Sequence, residues 1–166
     1  MSRGFVKEDD QEEKPIIPPR AALPEGVTNY VTPKGYKALE GEKLALENER
    51  KNLPKENETE RRRAAAVIDG KLSLLKERIA SARVLEVKDQ PKDEVRFGAV
   101  IQLKINEKLQ QFQIVGVDEA DIKSGKIAFV APLAKALTGK KAGEITTFEL
   151  GSEKRSIEII SINYEY

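Results

Sequence analysis

The sequence predicts an α+β protein: an N-terminal antiparallel α-helical coiled-coil hairpin, then a small antiparallel β domain with one short helix. Three observations carry this. Between residues 36 and 82 apolar side chains recur at alternating spacings of three and four, the seam of a helix pair. After residue 88 the period changes to apolar–polar alternation in short runs, as half-buried strands show. The 166 residues contain no Cys and no His, so neither a disulfide framework nor a zinc site can substitute for a packed core.

Residues 1–31 come first. An acidic run (Glu8, Asp9, Asp10, Glu12, Glu13) is mixed with Pro15, Pro18, Pro19 and Pro24. Proline removes backbone donors and biases the preceding residue to extended geometry, so neither a helix nor a central strand is expected. The segment reads as a flexible arm. Its apolar members Ile16, Ile17, Leu23, Val27 and Tyr30 are handles that such an arm could bury on a partner.

Residues 32–87 form the predicted hairpin. Thr32-Pro33 reads as an N-cap followed by proline at the first helical position. Tyr36, Leu39, Lys43, Leu46, Arg50 and Leu53 then mark the first seam, which Lys43 and Arg50 interrupt. Pro54 stops this helix. Ala65, Ile68, Leu72, Leu75, Ile79 and Ala82 mark the second. Two such helices joined by a short break fold back on each other as a rod roughly 30–40 Å long. Its tip, residues 52–63, is nearly devoid of apolar side chains and reads as exposed. There Glu56, Glu58 and Glu60 precede Arg61, Arg62 and Arg63. Acids in a first helical turn suit the helix dipole, so a solvated helix start explains the run as well as a functional site does.

Residues 88–166 carry five predicted strands: Val95–Ile105, Leu109–Val117, Lys126–Val130, Ile145–Leu150 and Arg155–Ile162. Asn106-Glu107 and Ser124-Gly125 sit where turns are needed. A short helix spans Pro132 to Leu137 and is closed by Gly139. The predicted core is Val100, Ile101, Phe112, Ile114, Val115, Phe129, Leu137, Phe148, Ile157 and Ile159.

Composition also limits the chemistry. Without imidazole or thiol there is no His-based triad and no thiol catalysis. Carboxylate, Lys, Arg, Tyr, Ser and Thr remain, and among them carboxylates that hold a hard cation are the first expectation. Net charge is +1, which provides no global basic field for nucleic acid. It sums over unlike segments: four basic against six acidic groups in 1–31, 13 against 10 in 32–87, and 12 of each in 88–166. The run Arg61–Arg63 is short and has no interleaved aromatics to stack bases. No apolar run approaches the roughly 18 residues of a membrane span, and the first ten residues lack a signal-peptide core, so a soluble, cytoplasmic protein is expected.

Four blocks of sequence carry a resemblance. Thr32-Pro-Lys-Gly-Tyr-Lys-Ala-Leu39, Lys55-Glu-Asn57, Val115-Gly-Val-Asp-Glu-Ala-Asp121 and Ala131-Pro-Leu-Ala-Lys-Ala-Leu-Thr-Gly-Lys140 occur in this order. They resemble the helix opening, tip motif, strand-and-loop signature and Ser-Pro-Leu-Ala block of the Gre family of bacterial transcript cleavage factors. The resemblance covers about residues 32–166; the last block is the most specific.

The resemblance implies an FKBP-like fold for the final domain and a partner, bacterial RNA polymerase. It implies a hairpin in the secondary channel of that polymerase and a final domain at the rim. It also implies that tip acids assist a polymerase-bound Mg²⁺ in cleaving the 3′ end of backtracked RNA. On that basis Glu56, with Glu58 and Glu60, is assigned to the catalytic tip, and Glu56 to the metal, only within the complex. Arg61, Arg62, Arg63, Asp121, Pro132 and Leu133 are assigned to partner binding. No tightly bound cofactor is expected, RNA is touched only inside the complex, and the protein acts as a monomer.

The family's first tip acid falls here at Leu53, or at Asn52 if Pro54 is an insertion. Two functions therefore stand open: stimulation of cleavage, or occupancy of the channel without it. A third, peptidyl-prolyl isomerase activity suggested by an FKBP-like fold, is disfavoured. The aromatics that such a pocket needs (Phe97, Phe112, Phe129, Phe148) occupy strand positions expected in the core.

Overall fold

The computed structural model describes residues 14–165, so the acidic run at 8–13 lies outside the described residues. Thr32 caps the first helix: its Oγ1 accepts from the Gly35 N–H at 2.9 Å, and Pro33 opens α1 (Pro33–Lys51). The backbone N–H of Asn52 closes α1 on the carbonyls of Asn48 and Glu49. After the break at Pro54, Asn57 caps α2 (Glu58–Ser81), its Oδ1 accepting from the Glu60 N–H at 3.1 Å. At 1.5 Å per residue, 19 and 24 residues give lengths of about 28 and 36 Å.

The spaced apolar residues meet as expected. Leu39 and Leu46 of α1 bury against Ile68, Leu72 and Leu75 of α2, flanked by Tyr36, Leu53, Ile79 and Ala82. Arg50, a charge in the seam, is accommodated because Asp69 stands opposite it. Arg50 Nε and Nη2 donate to Asp69 Oδ1 and Oδ2 at 2.6 and 3.1 Å. This guanidinium holds the Asp69 carboxyl below the usual carboxylate range.

Residues that flank the helices hold the open end of the pair. β1 (Asn29–Val31) runs parallel to β2 (Ala82–Val84), with Tyr30 opposite Arg83. Asn29 is buried, and its Nδ2 donates to the Arg78 carbonyl at 2.9 Å and to Ser81 Oγ at 3.2 Å. The arm expected over 1–31 thus contains a strand at its end. Its described part lies on the molecule's own helices, with Ile17 seated over Gly70. Prolines keep this stretch extended, and an extended chain can lie along a helix pair without internal hydrogen bonds.

The second half is a five-stranded sheet in the order β5-β4-β3-β7-β6. β3 (Ala99–Ile105) and β4 (Lys108–Val115) are joined by Asn106-Glu107, both at positive φ (48° and 71°), as a two-residue hairpin turn demands. β5 (Lys126–Ala128) corrects the expectation of an all-antiparallel sheet, because it pairs with β4 in parallel. Residues 116–125 make this possible. They loop back past the strand and end in Gly125 at φ 73°, so β5 starts from the same end as β4.

β6 (Ile145–Leu150) and β7 (Glu153–Tyr164) complete the sheet. A register shift between Gln102 and Leu103 bulges β7 at Ile160 and increases the local twist. The sheet curls, since α3 (Pro132–Leu137) packs against both of its edges, β5 and β6.

Ile101, Leu103, Ile114, Leu137, Ile157 and Ile159 fill the core of this half. Leu103, Val95, Ala99, Ile105, Ile127 and Ala134 belong to it although the predicted core did not include them. Phe112, Phe129 and Phe148, expected inside, are only half-buried. The curl leaves their rings at the margin of the core rather than at its centre.

Two of the conspicuous sequence blocks turn out to face each other. Thr32 Oγ1 donates to Glu119 Oε1 at 2.6 Å, and a side chain at Gly35 would collide with that carboxylate. Gly116 lies so close to β1 that a Cβ there would fall 2.5 Å from the Tyr30 carbonyl oxygen. The Tyr30 ring meets Phe97 and Phe129 at centroid distances of 6.2 and 5.7 Å. Thus residues 30–35 and 116–119 join the helix pair to the sheet.

Candidate functional site

Two exposed features stand apart: the tip of the helix pair and the concave side of the sheet. At the tip, Glu56 lies in the loop and Glu58 and Glu60 in the first turn of α2, where the helix dipole favours negative charge. All three are exposed, but they are not equivalent. Glu58 Oε1 accepts from Arg61 Nη2 at 2.7 Å, which ties it to its own helix. Glu56 and Glu60 border a shallow depression of about 250 Å³ with Leu53, Asn57 and Arg61. Arg62 and Arg63 are exposed on the next turn.

Leu53 decides the character of this tip. Its side chain is half-buried against the seam cluster while bordering the same depression as Glu56 and Glu60. Asn52, the other position for a first acid, closes α1 through its backbone. Among the described residues no group of three or more Asp or Glu converges as a metal site. The tip presents separate carboxylates.

On the sheet, Pro132 is exposed at the first position of α3 and Leu133 is half-buried against the core. Both line an apolar cavity of about 530 Å³, together with Phe112, Ile122 and Phe148. Ile122 is 80% exposed, which is unusual for a large aliphatic side chain beside an apolar cavity. The sequence assigns Pro132 and Leu133 to partner binding and Phe112 and Phe148 to the core, and does not single out Ile122; all five line this cavity. Strand alternation marks an inward side chain without telling whether the sheet curls enough to cover it.

Asp121 has a local task. Its Oδ1 accepts from the Lys123 N–H at 3.2 Å and its Oδ2 from the Ser124 hydroxyl at 2.7 Å, which caps the turn before β5. The carboxylates that sequence reading passed over are the neighbouring Asp118 and Glu119, both partly or wholly enclosed between the halves. Among the described residues no helix is long and apolar enough to cross a membrane.

Comparison with known proteins follows this division. A family profile described as "Transcription elongation factor, GreA/GreB, C-term" matches residues 90–164, the sheet. A protein named transcription elongation factor GreA from Acidiphilium cryptum is 38% identical over 105 residues, spanning 62% of this chain and 67% of that protein. One of the same name from Thermodesulfovibrio yellowstonii is 37% identical over 107 residues, spanning 63% and 67%. Among solved structures, the GreA factor homolog 1 (Gfh1) of Thermus thermophilus aligns over 82% of this chain and 99% of its own, at 19% identity and TM-score 0.39. The GreA/GreB factor of Nitrosomonas europaea aligns over 81% and 98%, at 19% identity and TM-score 0.41.

Proposed function

The chain belongs to the GreA/GreB family, and from that premise we propose that it is an elongation factor that acts on bacterial RNA polymerase. In this reading α1 and α2 form a coiled-coil hairpin that enters the secondary channel. The FKBP-like sheet docks at the channel rim through Pro132, Leu133 and the apolar cavity they line. The observation that carries this reading is the exposed, charged tip with Glu56 at the far end of a helix pair about 36 Å long. A thin rod suits a narrow channel, and a charged end suits an active centre filled with phosphates.

The reaction proposed is hydrolysis of the 3′ end of backtracked RNA by the polymerase itself. Two-metal phosphodiester chemistry needs carboxylates and no imidazole, which this composition supplies. The Mg²⁺ belongs to the polymerase. Glu56 offers it a carboxylate from the tip loop, with Glu60 beside it on the same depression. Glu58, held by Arg61, is a weaker candidate. Arg61–Arg63 are placed to meet phosphates or acidic channel walls. The chain acts as a cytoplasmic monomer and is not itself an enzyme.

The half-buried Leu53 favours a second reading, in which the hairpin occupies the channel without promoting hydrolysis. One experiment separates the two. Stalled, backtracked complexes are incubated with the protein and Mg²⁺, and RNA length is followed. Stimulation of cleavage predicts short 3′ fragments, at least tenfold fewer with Glu56→Ala and nearly as many with Glu58→Ala. Occupancy alone predicts no fragments from the parent chain, slower elongation, and a gain of cleavage on Leu53→Asp. Absence of any polymerase binding would sink both readings.

A further inference from the structure

Residues 14–23 form no regular element, yet they are held at two points. Ile17 covers Gly70 of α2 so closely that any Cβ there would fall 1.8 Å from its Cδ1. Arg20 makes the second hold. Its Nη1 and Nη2 donate to Glu42 Oε2 and Oε1 at 2.6 and 3.1 Å, and its Nε donates to Asp118 Oδ1 at 3.0 Å. Asp118 accepts on its other oxygen from Arg78 Nη1 at 2.9 Å, and Arg78 Nη2 reaches back to the Ala21 carbonyl at 2.7 Å. The arm, α2 and the loop after β4 thus meet at the Asp118 carboxylate, and α1 joins them through the Arg20–Glu42 pair.

Burial separates this cluster from ordinary surface pairs. The side chains of Asp118, Arg78 and Arg20 are 7, 14 and 17% exposed, whereas Arg50 and Asp69 are 49 and 52% exposed. An enclosed carboxylate held by two guanidiniums loses one of its two charge-assisted hydrogen bonds when either is removed. The planar fork of Arg20 also fixes direction, since it is bidentate on Glu42 while its Nε points at Asp118.

We propose that residues 16–21 are a strap that sets the angle of the helix pair on the sheet, with Arg20 as the positioning residue. The lever is long. Arg78 stands about 30 Å along α2 from the tip, so a rotation of about 10° there displaces the tip by about 5 Å. In a channel such a displacement separates a carboxylate that reaches the active centre from one that meets the wall. That consequence rests on the function proposed above, but the angle is a property of the free protein and is measured without polymerase.

Because the chain has no Cys, Lys55→Cys and Lys108→Cys place two spin labels, at the tip loop and at the first residue of β4. Pulsed dipolar spectroscopy then reads the distance between the two halves. The full-length labelled chain gives one narrow distribution. Arg20→Ala broadens it at least twofold or shifts its maximum by more than about 5 Å. Arg20→Lys, which retains the charge on Asp118 but not the fork, gives an intermediate width. Arg50→Ala, which breaks an exposed pair within the helices, leaves it unchanged.

Circular dichroism of each variant confirms that α1 and α2 are intact. An Arg20→Ala distribution as narrow as the parent's and at the same distance, with helices folded, overturns the proposal. So does a parent distribution that is already broad. Should Arg20→Ala lose its helices, the Arg20→Lys width decides by the same criterion.

Discussion

Leu75→Ala lowers the stability of the helix pair by about 3–4 kcal/mol, the largest effect expected of any single truncation in this half. Leu75 is fully buried in a cluster of only six buried residues, at the level where α1 begins and α2 ends. Two helices have no second layer that could relax into the space left by a leucine. The cavity therefore stays, and its cost adds to the lost transfer energy. Thermal unfolding followed by helix ellipticity should show an early loss of α1 and α2. The sheet has its own core around Ile101, Leu103 and Ile159, so its transition should shift far less. A loss under about 1 kcal/mol would mean that the seam is not what holds the pair together.

Gly116→Ala is the second large effect, and it acts between the two halves. The added methyl would stand 2.5 Å from the Tyr30 carbonyl oxygen, a backbone atom that cannot swing aside. β1 must then withdraw from the sheet, carrying the Tyr30 ring away from Phe97 and Phe129 and stretching the Thr32–Glu119 hydrogen bond. Overpacking of this kind costs about 1–3 kcal/mol. Gly41→Ala supplies the control. Gly41 lies within α1 with nothing near its missing Cβ, so alanine there should stabilise by up to about 1 kcal/mol. Proton shifts of the three rings report the separation directly. Unchanged shifts in Gly116→Ala would show that the halves are joined elsewhere.

Much of the fold was legible because its signals are local. Thr32-Pro33 caps α1 as its residue types require, and Leu39, Leu46, Ile68, Leu72 and Leu75 form the seam that their spacing describes. Asn106-Glu107 and Gly125 take the positive φ values that their turns need, and Pro132 opens a helix that ends at Leu137.

What escaped the sequence joins residues far apart in the chain. Arg20 and Asp118 are 98 positions apart, and no pattern in either neighbourhood pairs them. β1 and β2 are three residues each, too short to show a period. The parallel pairing of β4 with β5 depends on how the 116–125 loop turns, not on alternation.

The candidate site shows the same division. The tip was recognisable as a charged, apolar-poor tract, and its acids are exposed as that composition implies. That Leu53 is half-buried against the seam, and that Arg61 takes up Glu58, are facts of packing and side-chain geometry. Asp121, assigned to partner binding, is exposed and also caps its own loop, while Asp118 and Glu119 beside it carry the junction. A carboxylate's neighbours in the sequence do not reveal which way the loop presents it.

On the function proposed above, the tip of the helix pair reaches the catalytic centre of RNA polymerase. It is tested most directly by a short photocrosslinker on Lys55→Cys, the only thiol such a chain would contain. The labelled protein is bound to a backtracked elongation complex and irradiated. The expected crosslinks are to polymerase residues around the active centre and to the RNA 3′ end, reduced when Pro132 and Leu133 are both replaced by serine. Crosslinks confined to the outer surface of the polymerase, at full binding, would contradict it.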